Sequence, residues 1–313
     1  MKAIVCTQYG NPDVLQLQEI EKPVPKKNEV CIRIKATSIT GSDIIIRGCK
    51  VPGIMKLMMK LAIGFSKPRN PILGLVLAGE IESIGDDVKR FKKGEQIFGV
   101  TIKSPMKPNM GTYAEFKCLP EDSFIVHKPS NKTFEESAAI PFGGGIALHF
   151  LKKARILPGQ KILVYGASGA IGTSLVQLAK YYGACVTGIC STSNLDLVKS
   201  LGTDVVIDYT KEDFTNLGEL YDIIFDAVPG GMIDRKKLKS KCLKSLTTNG
   251  KYISIDDGRP AFTIEGLLLL KKLSEIGKFE SVIDRCYPLE QIAEAHRYVE
   301  SGHKKGNVII QVN

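Results

Sequence analysis

Three glycines at three-residue spacing mark the stretch of the sequence that could bind a phosphate group. Gly166, Gly169 and Gly172 follow the apolar run 162–165, which is typical of a buried strand. Glycine allows a tight turn and a close approach of phosphate oxygens, and the amides that open the next helix favour negative charge. The pattern, G-x-x-G-x-x-G rather than the commoner G-x-G-x-x-G, predicts a dinucleotide site at Gly166, Ser168, Gly169 and Gly172. An ordinary strand-to-helix turn is the alternative.

The residues after the next apolar run, 186–190, indicate which dinucleotide would bind. An NAD site usually has an acid about 20 residues after the glycines, which holds the ribose hydroxyls. Here residues 190–194 read Cys-Ser-Thr-Ser-Asn, and Lys211 lies further along. Hydroxyl donors and a lysine favour a 2′-phosphate, so we expect NADPH rather than NADH, bound by Ser191, Thr192, Asn194 and Lys211. Asn194 has a second interpretation, compatible with the first, as the cap of the following helix.

The segments around these residues alternate between strand and helix patterns over residues 127–258. Apolar residues at helical spacing follow the glycines, and the runs 204–208, 221–228 and 251–255 are strand-like. Alternation of this kind predicts a doubly wound parallel sheet of the Rossmann type. Residues 135–153 have a helical composition, and we expect Pro141 and the glycines 143–145 to interrupt that helix.

Residues 1–126 predict a second domain, a small β-barrel that residues 259–313 complete. Val30, Ile32 and Ile34 alternate with polar residues, and turn signals separate many short apolar runs. Residues 50–70 differ, because apolar residues mixed with Lys56 and Lys60 predict an amphipathic helix. A lid or wall of an apolar substrate cleft is the favoured interpretation, and a membrane-surface contact and an oligomer contact are the alternatives.

Composition limits the class of protein. A chain of 313 residues with 43% hydrophobic content predicts two packed domains. We expect no signal peptide, because residues 1–5 run directly into a strand-like segment, and no membrane-spanning segment, because no apolar run reaches roughly 18 residues. The eight cysteines form no C-x-x-C pair, which indicates a reducing cytoplasm. The net charge of +10 is compatible with nucleic-acid binding. Because the lysines are dispersed along the chain, a lysine-rich surface without a nucleic-acid partner is the favoured interpretation.

Six motifs occur in an order that resembles the medium-chain dehydrogenase/reductase superfamily, in particular its zinc-free quinone oxidoreductase-like branch. They span essentially the whole chain and read GTYAEFKCLPED (111–122), ESAAIPFGGG (136–145), VYGASGAIG (164–172), VTGICSTSN (186–194), VIDYTKEDF (206–214) and SGHKKGNVII (301–310).

The resemblance implies a GroES-like β-barrel domain and a Rossmann domain, with NADPH as the cofactor. It implies hydride transfer to a small apolar quinone or α,β-unsaturated carbonyl, and relatives are often homodimers. By the same resemblance the cofactor contacts fall on Gly169, Ala170, Ile171, Ser191, Tyr209, Val228 and Ile255. The tail segment Lys305, Gly306 and Asn307 matches a part of the family that lies near the cofactor.

The chain departs from the zinc-dependent members of the superfamily. Thr40 stands where they have Cys, and Leu75 and Val76 stand where they have His and Glu. A catalytic zinc needs about three protein ligands, so we expect no metal and no zinc-dependent alcohol dehydrogenase activity. Thr40 is the candidate catalytic residue, as a hydrogen-bond donor to the substrate oxygen. A satisfied strand-end hydroxyl is the alternative for Thr40, and Asp43 is expected to hold local backbone.

A different function also fits the sparse polar groups of the expected cleft. In that alternative the protein binds NADPH without catalysis, as a redox sensor or through a partner. The four histidines do not help to decide, because no two have the spacing of metal ligands, and each is expected to be structural or exposed. Oxidation of NADPH by quinones or enones distinguishes the enzyme from the sensor.

Overall fold

The structure is a computed structural model that describes residues 1–51, 53–104, 107–228, 234–258 and 260–312. Pro52, in the predicted 50–70 helix, lies outside these residues. The chain forms two compact units. Unit 1 comprises Met1–Phe142, Thr263–Glu275 and Ile283–Asn313, and unit 2 comprises Gly143–Phe262 and Ile276–Val282.

The elements follow in chain order. The strands are β1 (Lys2–Cys6), β2 (Leu15–Glu19), β3 (Glu29–Ser38), β4 (Val76–Ile84), β5 (Gln96–Val100), β6 (Ile102–Ser104), β7 (Lys107–Pro108), β8 (Phe116–Pro120), β9 (Ile125–His127), β10 (Lys161–Tyr165), β11 (Cys185–Cys190), β12 (Val205–Asp208), β13 (Tyr221–Asp226), β14 (Leu246–Ser254), β15 (Ile283–Pro288) and β16 (Asn307–Gln311). The helices are α1 (Gly41–Gly48), α2 (Gly53–Ile63), α3 (Phe134–Ala139), α4 (Pro141–Ala154), α5 (Ala170–Tyr181), α6 (Leu195–Ser200), α7 (Arg235–Lys244), α8 (Ile264–Glu275) and α9 (Ile292–Glu300).

Unit 1 is built around a sheet in the order β15-β16-β3-β4-β5-β9, with β8 also paired to β3. The pairs are antiparallel apart from β15 with β16. The predicted alternation holds in β3, where Val30, Ile32 and Ile34 are buried in the core of this unit while Arg33 is exposed. Cys31, on the same face as Arg33, is also buried.

Unit 2 contains the predicted parallel sheet, in the order β12-β11-β10-β13-β14. β10 lies between β11 and β13, and the chain order reverses there. Leu163 of β10, Ile189 of β11 and Ile224 of β13 are fully buried in the unit's core. Continuous apolar runs form such strands because helices cover both faces of a parallel sheet. The two architectures confirm the predicted fold class, an α/β chain with a GroES-like domain and a Rossmann-type domain.

The prediction that glycines interrupt the helix after residue 135 is wrong in part. A break does occur, because α3 ends at Ala139 and Pro141 begins α4, where proline needs no amide hydrogen. However, α4 continues through residues 143–145. A Cβ atom on Gly143 would lie 2.4 Å from the carbonyl oxygen of Ala170, so glycine is needed for close packing rather than for a turn.

The units divide the chain at other positions than residues 126/127 and 258/259. Residues 127–142 belong to unit 1, where Gln311 of β16 donates a hydrogen bond to Glu135 of α3 at 3.0 Å. Residues 276–282 belong to unit 2. The side chain of Gln177 donates to the carbonyl oxygen of Glu280 at 3.1 Å and accepts from the amide of Glu280 at 2.7 Å, which holds this segment on α5.

Candidate active site

The glycine turn lies at the carboxyl end of β10, beside the point where the strand order reverses. Gly166 has a φ of 81°, a left-handed conformation that favours glycine. A Cβ atom on Gly172 would lie 2.1 Å from the carbonyl oxygen of Gly166, so the first turn of α5 packs directly on the loop. Gly169 occupies the N-cap of α5 and supplies no side-chain cap. The opening amides of α5, including Ala170 and Ile171, therefore point toward the position where an anion would bind.

Asn194 connects the glycine turn to the loop after β11. Its Nδ2 donates to the Oγ of Ser168 at 3.0 Å and to the Oγ of Ser191 at 3.2 Å. The structure thus brings together three residues that the sequence assigned to the cofactor. Asn194 is at the N-cap of α6, but its side chain makes no capping hydrogen bond. The capping alternative is therefore wrong for this side chain, because its Oδ1 accepts from the hydroxyl of Ser193 at 3.5 Å and not from a backbone amide of α6.

An acid that the sequence analysis missed lies beside this loop. Asp208 ends β12 in register with Cys190 of β11. Its carboxylate accepts hydrogen bonds from the hydroxyl of Thr192 and from the hydroxyl and amide of Thr210, and Lys211 lies 3.8 Å away. These donors, Thr192 first, lower the pKa of Asp208, so the carboxylate is charged at neutral pH. The hydroxyl hydrogen of Thr192 is consequently directed at Asp208 rather than at a ligand.

A pocket of about 230 Å³ opens next to this acid. Tyr165 and Tyr209 form one wall, with ring centroids 6.3 Å apart and planes inclined by 29°. Tyr209 is 54% exposed, and Lys211 and Lys241 also line the pocket. Glu212 and Asp213 line the pocket as well, and Lys241 pairs with Asp213, so the pocket combines a flat aromatic wall with balanced charge.

A buried ion pair supports the ends of β13 and β14. The carboxylate of Asp226 is fully buried and lies 2.8 Å from a guanidinium nitrogen of Arg235, and the hydroxyl of Tyr252 donates to it at 2.7 Å. Burial raises the pKa of Asp226, and the hydrogen bond from Tyr252 and the charge of Arg235 oppose that rise.

Two predicted cofactor residues depend on Asp226. The amide of Val228 donates to its carboxylate at 3.1 Å, and the amide of Ile255 donates to its carbonyl oxygen at 3.0 Å. A Cβ atom on Gly166 would lie 2.8 Å from Val228, so this supported loop borders the glycine turn. The sequence analysis missed Asp226 and Arg235, because nothing in the sequence pairs residues nine positions apart.

Thr40, the candidate catalytic residue, lies in unit 1 and caps α1. Its hydroxyl donates to the Oδ2 of Asp43 at 2.7 Å, and its amide donates to the same oxygen at 2.8 Å. The amide of Gly74 donates to the other carboxylate oxygen at 3.2 Å. Thr40 is 4% exposed and Asp43 fully buried, and burial raises the pKa of Asp43 to about 6. Asp43 therefore holds local backbone, and it also takes the hydroxyl hydrogen of Thr40.

A further layer of buried polar side chains lies behind Asp43. Burial raises the pKa of Tyr113, which contacts Asp43, well above its ordinary range. The Nε2 of His296 is 3.3 Å from the hydroxyl of Tyr113, and burial lowers the pKa of His296 to about 3. Within the described residues the Nδ1 of His296 has no hydrogen-bond partner. The guanidinium of Arg47, also buried, pairs with Glu300 at 2.6 Å.

The tail segment lies near Thr40 within unit 1. Asn307 begins β16, and the amide of Ile39 donates to the carbonyl oxygen of Val308 at 3.0 Å. Gly306 has a φ of 56°, and the amide of Lys305 donates to Asp284 at 2.9 Å, so this turn is held in place.

Potential metal ligands are sparse in the region described. Leu75 and Val76, where zinc-dependent enzymes have ligands, are both buried apolar residues. Over residues 1–51, 53–104, 107–228, 234–258 and 260–312, no three His, Cys, Asp or Glu side chains are arranged to hold a metal ion. The same residues contain no helix with the length and hydropathy needed to cross a bilayer.

A barrel-type unit and a glycine-turn parallel sheet together define a two-domain dehydrogenase fold. Residues 26–130 match the profile described as the alcohol dehydrogenase GroES-like domain. Residues 170–287 and 267–310 match two profiles described as zinc-binding dehydrogenase. The chain belongs to the medium-chain dehydrogenase/reductase superfamily, as the sequence motifs predicted, and it is an oxidoreductase of that type.

Proteins of known activity align with nearly the whole chain. The 2-methylene-furan-3-one reductase of Solanum lycopersicum is 32% identical, over 99% of this chain and 79% of its own length. The NADPH-dependent alkenal/one oxidoreductase of Arabidopsis thaliana chloroplasts is 32% identical over the same shares. The quinone oxidoreductase of Coxiella burnetii superposes with a TM-score of 0.82 at 27% identity, covering 100% of this chain and 99% of its own.

Proposed function

We propose that the protein transfers hydride from NADPH to an apolar quinone or α,β-unsaturated carbonyl without a metal. The observation that carries the proposal is the uncapped N-terminus of α5, directly beside the cluster of Ser168, Ser191 and Asn194. A diphosphate fits the opening amides of α5, and hydroxyl groups lie within reach of the adjoining ribose. The names of the relatives, an NADPH-dependent alkenal/one oxidoreductase and a quinone oxidoreductase, support a nicotinamide cofactor and this class of acceptor.

The choice of NADPH over NADH depends on the balance of charge at the end of β11. Ser191 and Lys211 offer donors to a 2′-phosphate, and Asn194 holds Ser191 in place through its amide, whereas the carboxylate of Asp208 would repel such a phosphate. Three donated hydrogen bonds and Lys211 at 3.8 Å offset that carboxylate. Asp208 is also only 6% exposed, while the side chain of Lys211 is 68% exposed. We therefore expect the net field at the loop surface to favour the phosphorylated cofactor.

The bound cofactor supplies the hydride, and the protein has to position the acceptor and stabilise charge on its oxygen. We propose Thr40 for the second task. Because its hydroxyl hydrogen points at Asp43, donation to a substrate oxygen requires rotation of the hydroxyl or protonation of Asp43. The raised pKa of Asp43, about 6, makes its protonated form accessible at mildly acidic pH. Turnover should therefore increase as the pH falls from about 8 toward 6, provided that hydride transfer limits the rate.

The test is the rate of NADPH oxidation with a panel of quinones and enones. The proposal predicts turnover on at least one apolar acceptor, with the same rate after dialysis against a chelator. Saturable NADPH binding without turnover on any acceptor would contradict it and would favour the non-catalytic sensor. Stoichiometric zinc in the purified protein would contradict the metal-free part of the proposal.

Two proposals concern the setting of the enzyme. We propose a reducing cytoplasm, supported by eight cysteines that are all free thiols in the structure. Cell fractionation tests it, and recovery in an organelle, as for the chloroplast relative, would contradict it.

We also propose a homodimer, on the basis of the family resemblance. Light scattering on the purified protein tests this second proposal, and a monomer at micromolar concentration would contradict it.

A further inference from the structure

Helix α2 leaves most of its apolar side chains exposed instead of packing them into unit 1. Ile54, Leu57, Met58 and Leu61 follow the i, i+3, i+4, i+7 spacing of a single helix face. Their exposed fractions are 76%, 51%, 63% and 57%, and Phe65 just beyond the helix is 63% exposed. α2 contains no buried residue. An apolar stripe that normally covers a core is here directed at the surroundings, and we call these five residues the outward stripe.

All charged residues around the outward stripe are basic. No Asp or Glu occurs between Asp43 and Glu80, whereas Lys56 and Lys60 lie within α2 and Lys67 follows it. In the described part of the chain, none of these three lysines forms an ion pair with an acidic side chain, unlike Lys50, which pairs with Glu300 at 2.6 Å. The stripe therefore lies next to positive charge that unit 1 does not neutralise.

Polar contacts hold the end of α2 in place without the apolar face. The guanidinium of Arg69 donates to the carbonyl oxygens of Leu61 and Ala62 at 3.0 and 3.3 Å. The hydroxyl of Tyr9 donates to the carbonyl oxygen of Gly64 at 2.7 Å. The last turn of α2 is thus attached through its backbone. Substitutions in the outward stripe should therefore leave the fold intact.

We propose that the outward stripe inserts into the interface of an anionic lipid bilayer. An apolar helix face flanked by lysines is the pattern of helices that lie in the membrane surface, where acyl chains take the apolar side chains and lipid phosphates take the lysines. The proposal does not depend on the proposed hydride transfer, because lipid binding is measured without cofactor or substrate.

Charge argues against a second copy of the chain as the occupant. A two-fold interface brings the same patch of both copies together. It would place Lys56 and Lys60 near the same lysines of the partner, with no acid between residues 44 and 79 to compensate them. An anionic bilayer meets the same lysines with opposite charge.

The experiment is sedimentation of the full-length protein with vesicles of phosphatidylcholine, either pure or containing roughly 30% phosphatidylserine. The proposal predicts binding to the anionic vesicles, at least about tenfold weaker binding to the neutral ones, and release at high salt. Binding to neither kind of vesicle would overturn it, and so would equal binding to both.

Two double variants and a matched control test the location. Leu57→Ser with Met58→Ser should abolish binding, and Lys56→Gln with Lys60→Gln should weaken binding to the anionic vesicles by roughly tenfold or more. The control, Lys236→Gln with Lys237→Gln, removes the same charge from exposed positions on α7 and should bind like the wild type. The proposal fails if the control loses binding equally, or if both α2 variants keep it.

Light scattering on the same samples distinguishes the bilayer from a second copy of the chain as the partner of the outward stripe. The serine variant should have the same mass as the wild type, and its circular dichroism should be unchanged. Conversion of an oligomer to a monomer by these substitutions would assign the outward stripe to self-association and overturn the proposal.

Discussion

The glycine turn of unit 2 and the Asp43 cluster of unit 1 use hydrogen-bond donors in opposite ways. At the turn, the opening amides of α5 have no side-chain cap, and the carboxylate of Asp208 lies at the edge with its pKa lowered. In unit 1, Asp43 is fully buried, takes the donors of Thr40 and Gly74, and has its pKa raised. The opening amides of α5 are therefore available to an anionic ligand, whereas the donors of Thr40 and Gly74 are already hydrogen-bonded to a buried carboxylate.

The strongest test of this contrast is Gly172→Ala. The new Cβ atom would lie 2.1 Å from the carbonyl oxygen of Gly166, so the first turn of α5 must move away from the loop. We expect a loss of about 3 kcal/mol in the free energy of unfolding and a decrease of at least about 100-fold in NADPH affinity. Thermal denaturation and fluorescence titration measure the two effects.

Gly169→Ala is the matched control, because a Cβ atom there has its nearest neighbour at 3.6 Å. It should fold like the wild type, and any loss of NADPH affinity should come only from contact between the new Cβ atom and the bound cofactor. A Gly172→Ala protein with unchanged stability and affinity would refute the tight packing of the turn.

His296→Gln tests the buried cluster through its pH dependence. The folded-state pKa of His296, about 3, is below its ordinary value of 6.5. Between pH 6.5 and 3 the unfolded chain therefore binds a proton at this residue more readily than the folded chain does. This contribution to stability is present above pH 6.5 and is lost as the pH falls toward 3, by up to about 5 kcal/mol. Urea denaturation from pH 7 to 4 should show a smaller loss of stability in His296→Gln than in the wild type.

The raised pKa of Asp43 acts in the opposite direction between about pH 6 and 4, so the two proteins must be compared at each pH. His303→Gln, at an exposed position of the same unit, is the control. If both variants reproduce the wild-type pH profile, His296 is not held neutral by burial.

Thr40→Val removes the hydroxyl that caps α1 and donates to Asp43. If Thr40 donates to the substrate oxygen, turnover should fall by roughly tenfold or more, while NADPH affinity is unchanged. Loss of the helix cap should lower stability by about 1 kcal/mol. Thr40→Ser keeps the hydroxyl and should retain most of the turnover. Unchanged turnover in the valine variant would leave Thr40 with only its structural role.

Lys211→Ala gives the smallest expected effect, since its side chain is 68% exposed. The substitution removes a positive charge near a 2′-phosphate and leaves Asp208 less compensated. The ratio of NADPH to NADH affinity should fall by about three- to fivefold at low salt and less at high salt. Lys199→Ala, exposed on the neighbouring helix α6, should leave the ratio unchanged. An unaltered ratio in Lys211→Ala would remove this lysine from cofactor discrimination.

Local features of the chain could be predicted from sequence because their cause is local. The spacing of the glycines between two apolar runs determines the turn at Gly166. The alternation of apolar and polar residues predicts β3, because successive side chains of a strand point to opposite faces. Features that depend on neighbours distant in sequence could not be predicted. Asp208 faces Thr192 only because β12 pairs in parallel register with β11, and His296 meets Tyr113 across 183 positions of sequence.

Calorimetric titration of the wild-type protein with NADPH and with NADH tests the central claim most directly. The claim is that the amides at the start of α5 bind a diphosphate while the loop at Ser191 accepts a further phosphate. It predicts a single site that binds NADPH at least about tenfold more tightly than NADH, with the difference decreasing as salt is added. Binding of neither dinucleotide, or tighter binding of NADH, would contradict it.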